Sequence, residues 1–289
     1  MERSKIDVFV LDWEGCCSYP GGGRHPWPSQ DLSDLSRMIN TMYRAWEEST
    51  NNPRVVLCTG RQIPYGEAAL QQINAFFDHP LPSILENGAA LYLPTTKEVI
   101  LNSVITADTK VAMTGVRAKA YSLVEKFNGE REHGKEYCIS LNPPKFPKVN
   151  IEYIDEFMEI ARSEYNAQGE EVIDLFYGVV RKELRDYVES GIIEITHSKS
   201  AVDITPAGVN KGSGVQDFCD YTGISPRAIV GVGDSLGDKP LLSIVGYPAC
   251  PANADDETRK LVENRHGYVS PHECAKGVED VFKHYLPGL

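Results

Sequence analysis

Several metal and membrane signatures are missing from this sequence of 289 residues. Its seven cysteines, at 16, 17, 58, 138, 219, 250 and 274, form no CxxC pair, and its seven histidines include no i, i+4 pair. That spacing excludes a zinc ribbon, knuckle or helical zinc site. Basic residues are scarce, 29 Lys and Arg against 41 Asp and Glu, for a net charge of −12. The deficit argues against nucleic acid or an anionic membrane as partner. It also means that a small anion would need a local positive site or a metal. No apolar run approaches the roughly 18–20 residues of a membrane helix. The opening "MERSKIDVFV" has no small-residue cleavage site after its apolar run, so it is expected to be a strand rather than a signal peptide. With the scattered cysteines, this predicts a reduced, cytoplasmic setting. Repeats and low-complexity tracts are absent; the one biased patch is "YPGGGRHPWP" at 19–28, read as a connecting turn or as a flap over a site.

What is present is a repeated strand ending. "VFVLDWEG", "RVVLCTGR" and "AIVGVGDSLGD" each run four or five apolar residues and then break to polar ones: Asp12 and Glu14, Thr59-Gly60-Arg61, and Asp234 with Asp238. Short β-rich runs without alternation fit strands buried on both faces of a parallel sheet. Between the first two, Leu32, Leu35, Met38, Ile39, Met42 and Trp46 fall at helical spacing, with Ser29 or Asp31 as N-cap, which completes a βαβ unit. After Asp234 the expected elements are a short helix in "KPLLSIV", a strand or turn in "YPACPAN", and helices in "DDETRKLVEN" and "PHECAKGVEDVFKHYL". The middle of the chain reads differently. Helices are expected in "DTKVAMTGVRAKAYSLVEKF", "YIDEFMEIARSEYNAQ" and "GVVRKELRDYVES", half-buried strands in "EYCISLN", "VIDLFYG" and "GIIEITHS", and a proline-rich loop in "LNPPKFPKVN". The expectation is an α/β chain. A Rossmann-like parallel sheet core with helices on both faces comprises residues 1–89 and 203–289. An α+β cap domain is inserted at residues 90–202.

Ligands of an open parallel sheet sit at the carboxyl ends of its strands. Asp12, Glu14, Thr59, Asp234 and Asp238 are predicted to share that rim, and "DITPAGVNKGSG" brings Lys211 to it just before a helix. Crowded acids repel one another and call for a hard divalent cation, Mg²⁺ rather than Zn²⁺. With Lys211 it would neutralise a phosphate that the acids alone would reject. Each residue also has a plainer reading: Lys211 as a surface lysine, Thr59 and Asp238 as helix caps. Arg61 could clamp phosphate, point away or pair with an acid, and His197 lies near the return from the insertion. Those plain readings weaken when all of these groups fall on one rim.

"VLDWEG", "CTGR", "LENGAALYLP", "DITPAGVNKG" and "GVGDSLGDKPLL", with "PANADDETRKLV" as a weaker sixth, occur in the order found in one family. The chain resembles haloacid dehalogenase-superfamily phosphatases of type IIB, in which a large α/β cap is inserted between the second and third motifs. Sucrose-phosphate and mannosyl-phosphoglycerate phosphatases belong to that group. The resemblance implies a Mg²⁺-dependent phosphomonoesterase for a small phosphorylated metabolite, a sugar or sugar-acid phosphate, working as a monomer or homodimer. Asp12 would be nucleophile and metal ligand. Residue 14 would give its carbonyl to the metal and its side chain to acid/base work. Thr59 and Gly60 would hold the phosphoryl group and Lys211 would balance its charge. Asp234 would bind the metal, with Asp238 steadying the metal waters or Lys211. Gly88 would mark the hinge to the cap, with Asn87 beside it.

The family pattern has Asp where this chain has Glu14, Cys16 stands where Thr is frequent, and Gly237 where Asn is usual. One extra methylene lengthens reach by about 1.5 Å, and shifts of about 1 Å can cost roughly 10²-fold. Three readings follow: the backbone has adjusted to Glu14, the enzyme is slow or uses another acid, or the chain binds phosphate with little turnover. A phosphotransferase or mutase of the same fold is the alternative within the enzyme class.

Overall fold

The computed structural model describes residues 5–18, 29–48, 53–75, 81–144, 172–198 and 201–287. The Gly/Pro patch at 19–28, the helix expected at 153–168 and most of the proline-rich loop lie outside them. Strands run in the order β1 (Val8–Leu11), β2 (Arg54–Leu57), β3 (Ser83–Leu85), β4 (Ala90–Leu93), β5 (Glu98–Leu101), β6 (Glu130–Arg131), β7 (Ile139–Asn142), β8 (Ile193–His197), β9 (Val202–Pro206), β10 (Ile229–Val232), β11 (Tyr247–Cys250) and β12 (Tyr268–Val269).

The first unit, Met1–Asn102 with Asn210–Leu289, is built on an all-parallel sheet in the order β12-β11-β10-β1-β2. All four residues of β1 are fully buried. Phe9 and Leu11 join Leu35, Ile39, Met42, Val278 and Phe282 on one face. Val8 and Val10 join Val215, Phe218, Leu241 and Val245 on the other. Double-sided burial is what removes the alternation from these strands. Register pairs Leu11 with both Val232 and Leu57, so the three strand ends lie level. The helix Ser29–Glu48 joins β1 to β2 as its spacing predicts.

The second unit, Ser103–Val209, is an antiparallel sheet in the order β6-β7-β9-β8. The helices Ala107–Phe127 and Val172–Glu183 bury Val116, Ala120, Phe127, Phe176 and Val179 against Ile139, Leu141, Val202 and Ile204.

Two expectations are corrected here. "VIDLFYG" is the first half of the helix Val172–Glu183, not a strand. A short apolar run fits either element, and the helical period shows only when Ile173 and Phe176 are continued to Val179 and Val180, all buried. The expected boundaries at 89/90 and 202/203 also move. Residues 90–102 stay with the first unit because β4 and β5 pair with β3. Residues 203–209 belong to the second because β9 pairs with β7 and β8.

Candidate active site

The rim of the parallel sheet is held by the backbone before any side chain acts. The Asp12 amide donates to the Val232 carbonyl at 2.9 Å and the Cys58 amide to that of Leu11 at 2.7 Å. Asp12, Thr59 and Asp234 therefore leave their strands side by side. Lys211 opens the helix Lys211–Thr222, whose N-cap Asn210 accepts from the amides of Gly212 and Ser213. It is buried, and its Nζ donates to Asp12 Oδ1 at 2.7 Å and to Asp238 Oδ1 at 2.6 Å. The surface-lysine reading fails. Asp238 likewise makes no cap bond with its side chain to the following helix. Its Oδ2 accepts from the amides of Asp234 and Ser235, at 2.9 and 3.0 Å, and from the Ser235 hydroxyl at 3.2 Å. Asp238 thus holds both the lysine and the turn that presents Asp234.

Burial, and then the charge of Asp238, push Asp12 up to about 7 despite the opposing pull of Lys211. Burial, followed by Asp238 and Asp12, pushes Asp234 up to about 8. For Lys211, burial alone would lower the pKa; Asp12 and Asp238 reverse this and hold it well above the usual lysine value. Ionising Asp12 and Asp234 together thus creates charge that the protein by itself only partly compensates. Together with the Cys16 thiol the two carboxyls offer donor atoms that all lie within 4.8 Å of one another. Hard oxygen donors left short of positive charge suit a small divalent cation. Space is made by Gly15, at φ 76°, where a Cβ would lie 2.0 Å from Asp234 Oδ2. The Cys16 thiol is pushed up by burial, then by Asp234 and Asp12.

Thr59 is buried, and its hydroxyl accepts from the Arg61 amide at 3.2 Å. Its amide donates to Ile84 and its carbonyl accepts from the Asn87 amide. The Asn87 side chain faces Gly60 across a gap that a Cβ would close to 2.7 Å. Glu86, Asn87 and Gly88 all have positive φ. Gly88 is required there, since a Cβ would lie 2.1 Å from the Asn210 carbonyl. Asn102 ties this turn to the helix Lys211–Thr222 by donating to Gly88 O and Ser213 Oγ.

Glu14 stands apart from the other acids. Its carboxylate is paired with Arg61, whose guanidinium lies 5.0 Å over the Tyr65 ring. Tyr65 accepts in turn from the Trp13 indole at 3.1 Å. Arg61 takes the acid-pairing course among its three readings. His197 lies in the second unit beside Asp174 and Tyr177. Sequence reasoning missed Asn253, which donates to Gly15 O and accepts from the Cys274 amide, both at 2.8 Å. The motif "PANADD" was its one visible signal. Nothing in the sequence singled out Cys16 as a neighbour of both Asp12 and Asp234.

Known proteins resemble the chain at two levels. Over 219 residues it is 26% identical to a phosphoglycolate phosphatase of Natronomonas pharaonis, covering 75% of this chain and 76% of that protein. A phosphoglycolate phosphatase of Methanothermobacter thermautotrophicus is 28% identical over 37% of this chain and 45% of its own length. Among solved structures, the sucrose-phosphatase of Synechocystis aligns with a TM-score of 0.59 at 15% identity, covering 97% of this chain and 98% of that one. A Thermoplasma acidophilum protein aligns at 0.62 and 17%, with 97% and 98% covered. These structures share its α/β fold. Residues 33–282 match the haloacid dehalogenase-like hydrolase family, and the chain belongs to it.

Proposed function

We propose that this hydrolase is a Mg²⁺-dependent phosphomonoesterase that acts on a small phosphorylated metabolite through Asp12. The observation that carries the reading is the bridge of buried Lys211 between Asp12 and Asp238, level with Asp234 on the sheet rim. The site would take the phosphoryl group of its substrate among Lys211 Nζ, the Thr59 hydroxyl and the amides that follow Thr59. An Asp12 carboxylate oxygen attacks phosphorus while the ester oxygen departs, giving an aspartyl-phosphate. Released from Arg61 and protonated when substrate enters, the Glu14 carboxyl gives its proton to the departing oxygen. The resulting carboxylate then takes a proton from the water that attacks phosphorus and frees Asp12. Lys211 balances charge throughout. Mg²⁺, held by Asp12, Asp234 and the Glu14 carbonyl, would supply further charge neutralisation at the phosphate. Asp238 fixes Lys211 and the Asp234 turn, and the Asn87 side chain lies against Gly60.

The phosphoglycolate phosphatases among its relatives support a phosphorylated acid or sugar acid as substrate, and the sucrose-phosphatase fold is compatible with a sugar phosphate. The second unit would act as the cap that selects between them. The seven free cysteines are consistent with a reducing, cytoplasmic setting. The Arg61 pair at Glu14 favours one second reading, a phospholigand-binding protein with slow turnover, because the acid is already engaged. Hydrolysis of an aryl phosphate distinguishes the two. Turnover with Mg²⁺, lost with chelator and reduced at least about 10⁴-fold in Asp12→Asn, is expected. Phosphate binding without turnover on a sugar-phosphate and acid-phosphate panel would replace the enzyme with the binding protein.

A further inference from the structure

We propose that Cys16 adds a sulfur ligand to the cation site, so that thiophilic divalent cations such as Cd²⁺ and Zn²⁺ are held by Asp12, Asp234 and Cys16 together. The inference rests on Asp12 and Asp234 forming the cation site of the proposed function. It deepens that reading by naming the competing cations the site takes.

The Cys16 thiol and the two carboxylates form the group whose donor atoms all lie within 4.8 Å of one another. Among the described residues it is the one group of His, Cys, Asp and Glu side chains that meets this condition. Cys16 is fully buried, and its thiol has no hydrogen-bond partner among the described residues. The thiol is therefore held beside the carboxylates without a competing contact of its own. A tetrahedral ion with Zn–S near 2.3 Å and Zn–O near 2.1 Å brings its donors to roughly 3.5 Å of one another, a side-chain adjustment of about an ångström. Mg²⁺ uses oxygen and water and gains nothing from sulfur, whereas Cd²⁺ and Zn²⁺ do. As the sulfur–metal bond forms, the thiol proton passes to solvent. Three protein side chains then leave one coordination position open.

The site is read by titrating the purified full chain with Cd²⁺ and following the sulfur-to-cadmium ultraviolet band and the ¹¹³Cd chemical shift. One equivalent is expected to give the band and a shift for mixed sulfur and oxygen ligation. Cys16→Ser and Cys16→Ala should lose the band and bind Cd²⁺ at least about tenfold more weakly. Both should keep wild-type binding of Mn²⁺, an oxygen-preferring stand-in for Mg²⁺, measured by water proton relaxation. An oxygen-only ¹¹³Cd shift in the wild type overturns the proposal without any variant having to fold. So does a band of full strength in Cys16→Ser. Either result alongside normal Mn²⁺ binding removes Cys16 alone. Loss of Mn²⁺ binding by the wild type as well removes the cation site on which the inference rests.

Discussion

Among the described residues two lysines are buried, one in each unit, and each lies among carboxylates. Lys135 pairs with Glu132 at 2.9 Å and Asp203 at 3.7 Å, and with the Ser140 hydroxyl, which also reaches Asp203. Glu132 is three residues away, and Ser140 and Asp203 are cross-strand neighbours on β7 and β9. The acids of this cluster keep side-chain exposures of 20% and 22%. Lys211 instead draws Asp12 from 199 residues away, and the side chains of Asp12 and Asp238 are 7% and 0% exposed. Partly solvated acids can be stabilised by water when their lysine is lost; desolvated ones cannot. Lys135 therefore reads as a local brace of its sheet and Lys211 as the centre of a charged site.

Replacing each lysine by methionine tests that contrast, and Lys211 carries the largest expected effect. Lys211→Met should lower kcat on an aryl phosphate by at least about 10²-fold. It should also cost about 3–5 kcal/mol in urea unfolding, because buried carboxylates lose their partner. Lys135→Met should cost about 1–3 kcal/mol and leave the aryl phosphate kcat near wild type. Equal losses of kcat in the two variants would erase the distinction.

Glu14 sharpens it from the other side. Shortening the chain in Glu14→Asp pulls the carboxylate off Arg61 and should lower kcat by roughly 10²-fold. A faster enzyme would show that the pair with Arg61 restrains the native acid. The pH dependence of stability follows from the raised pKa values of Asp12 and Asp234. Below about 4 these groups are protonated in both folded and unfolded chains and cost nothing. As pH rises towards about 7 and 8, the unfolded chain ionises first, so metal-free protein should lose stability through that window. Thermal midpoints at pH 5 and pH 8 check the direction, and added Mg²⁺ should offset most of the loss at pH 8. The smallest effect is expected at Asn253. Asn253→Ala removes two part-buried hydrogen bonds, to the Gly15 carbonyl and from the Cys274 amide, and should cost about 0.5–1.5 kcal/mol in urea unfolding.

How much was legible varies along the chain for physical reasons. The parallel strands were legible because burial on both faces leaves short apolar runs, and their polar endings marked Asp12, Thr59 and Asp234. Lys211 and Asp238 were legible by motif, although burial and distance could not be read from spacing. In the second unit, "VIDLFYG" misled because a helix with one buried stripe and a half-buried strand share composition over seven residues. The unit boundaries moved because strand pairing, not composition, decides which side β4, β5 and β9 join. Asn253 and the Arg61 partner of Glu14 were hidden because each acts through a contact distant in sequence.

Local sequence by itself determined which segments had to be buried on both faces, where they stop, and that acids, a threonine and a lysine stand at those stops. Such properties follow from side-chain chemistry and chain period within a few residues. Tertiary structure alone decided that Lys211 lies between Asp12 and Asp238, that Glu14 turns to Arg61, and that Cys16 stands beside Asp12 and Asp234. Those outcomes depend on strand register and on desolvation, which exist only once distant segments have packed.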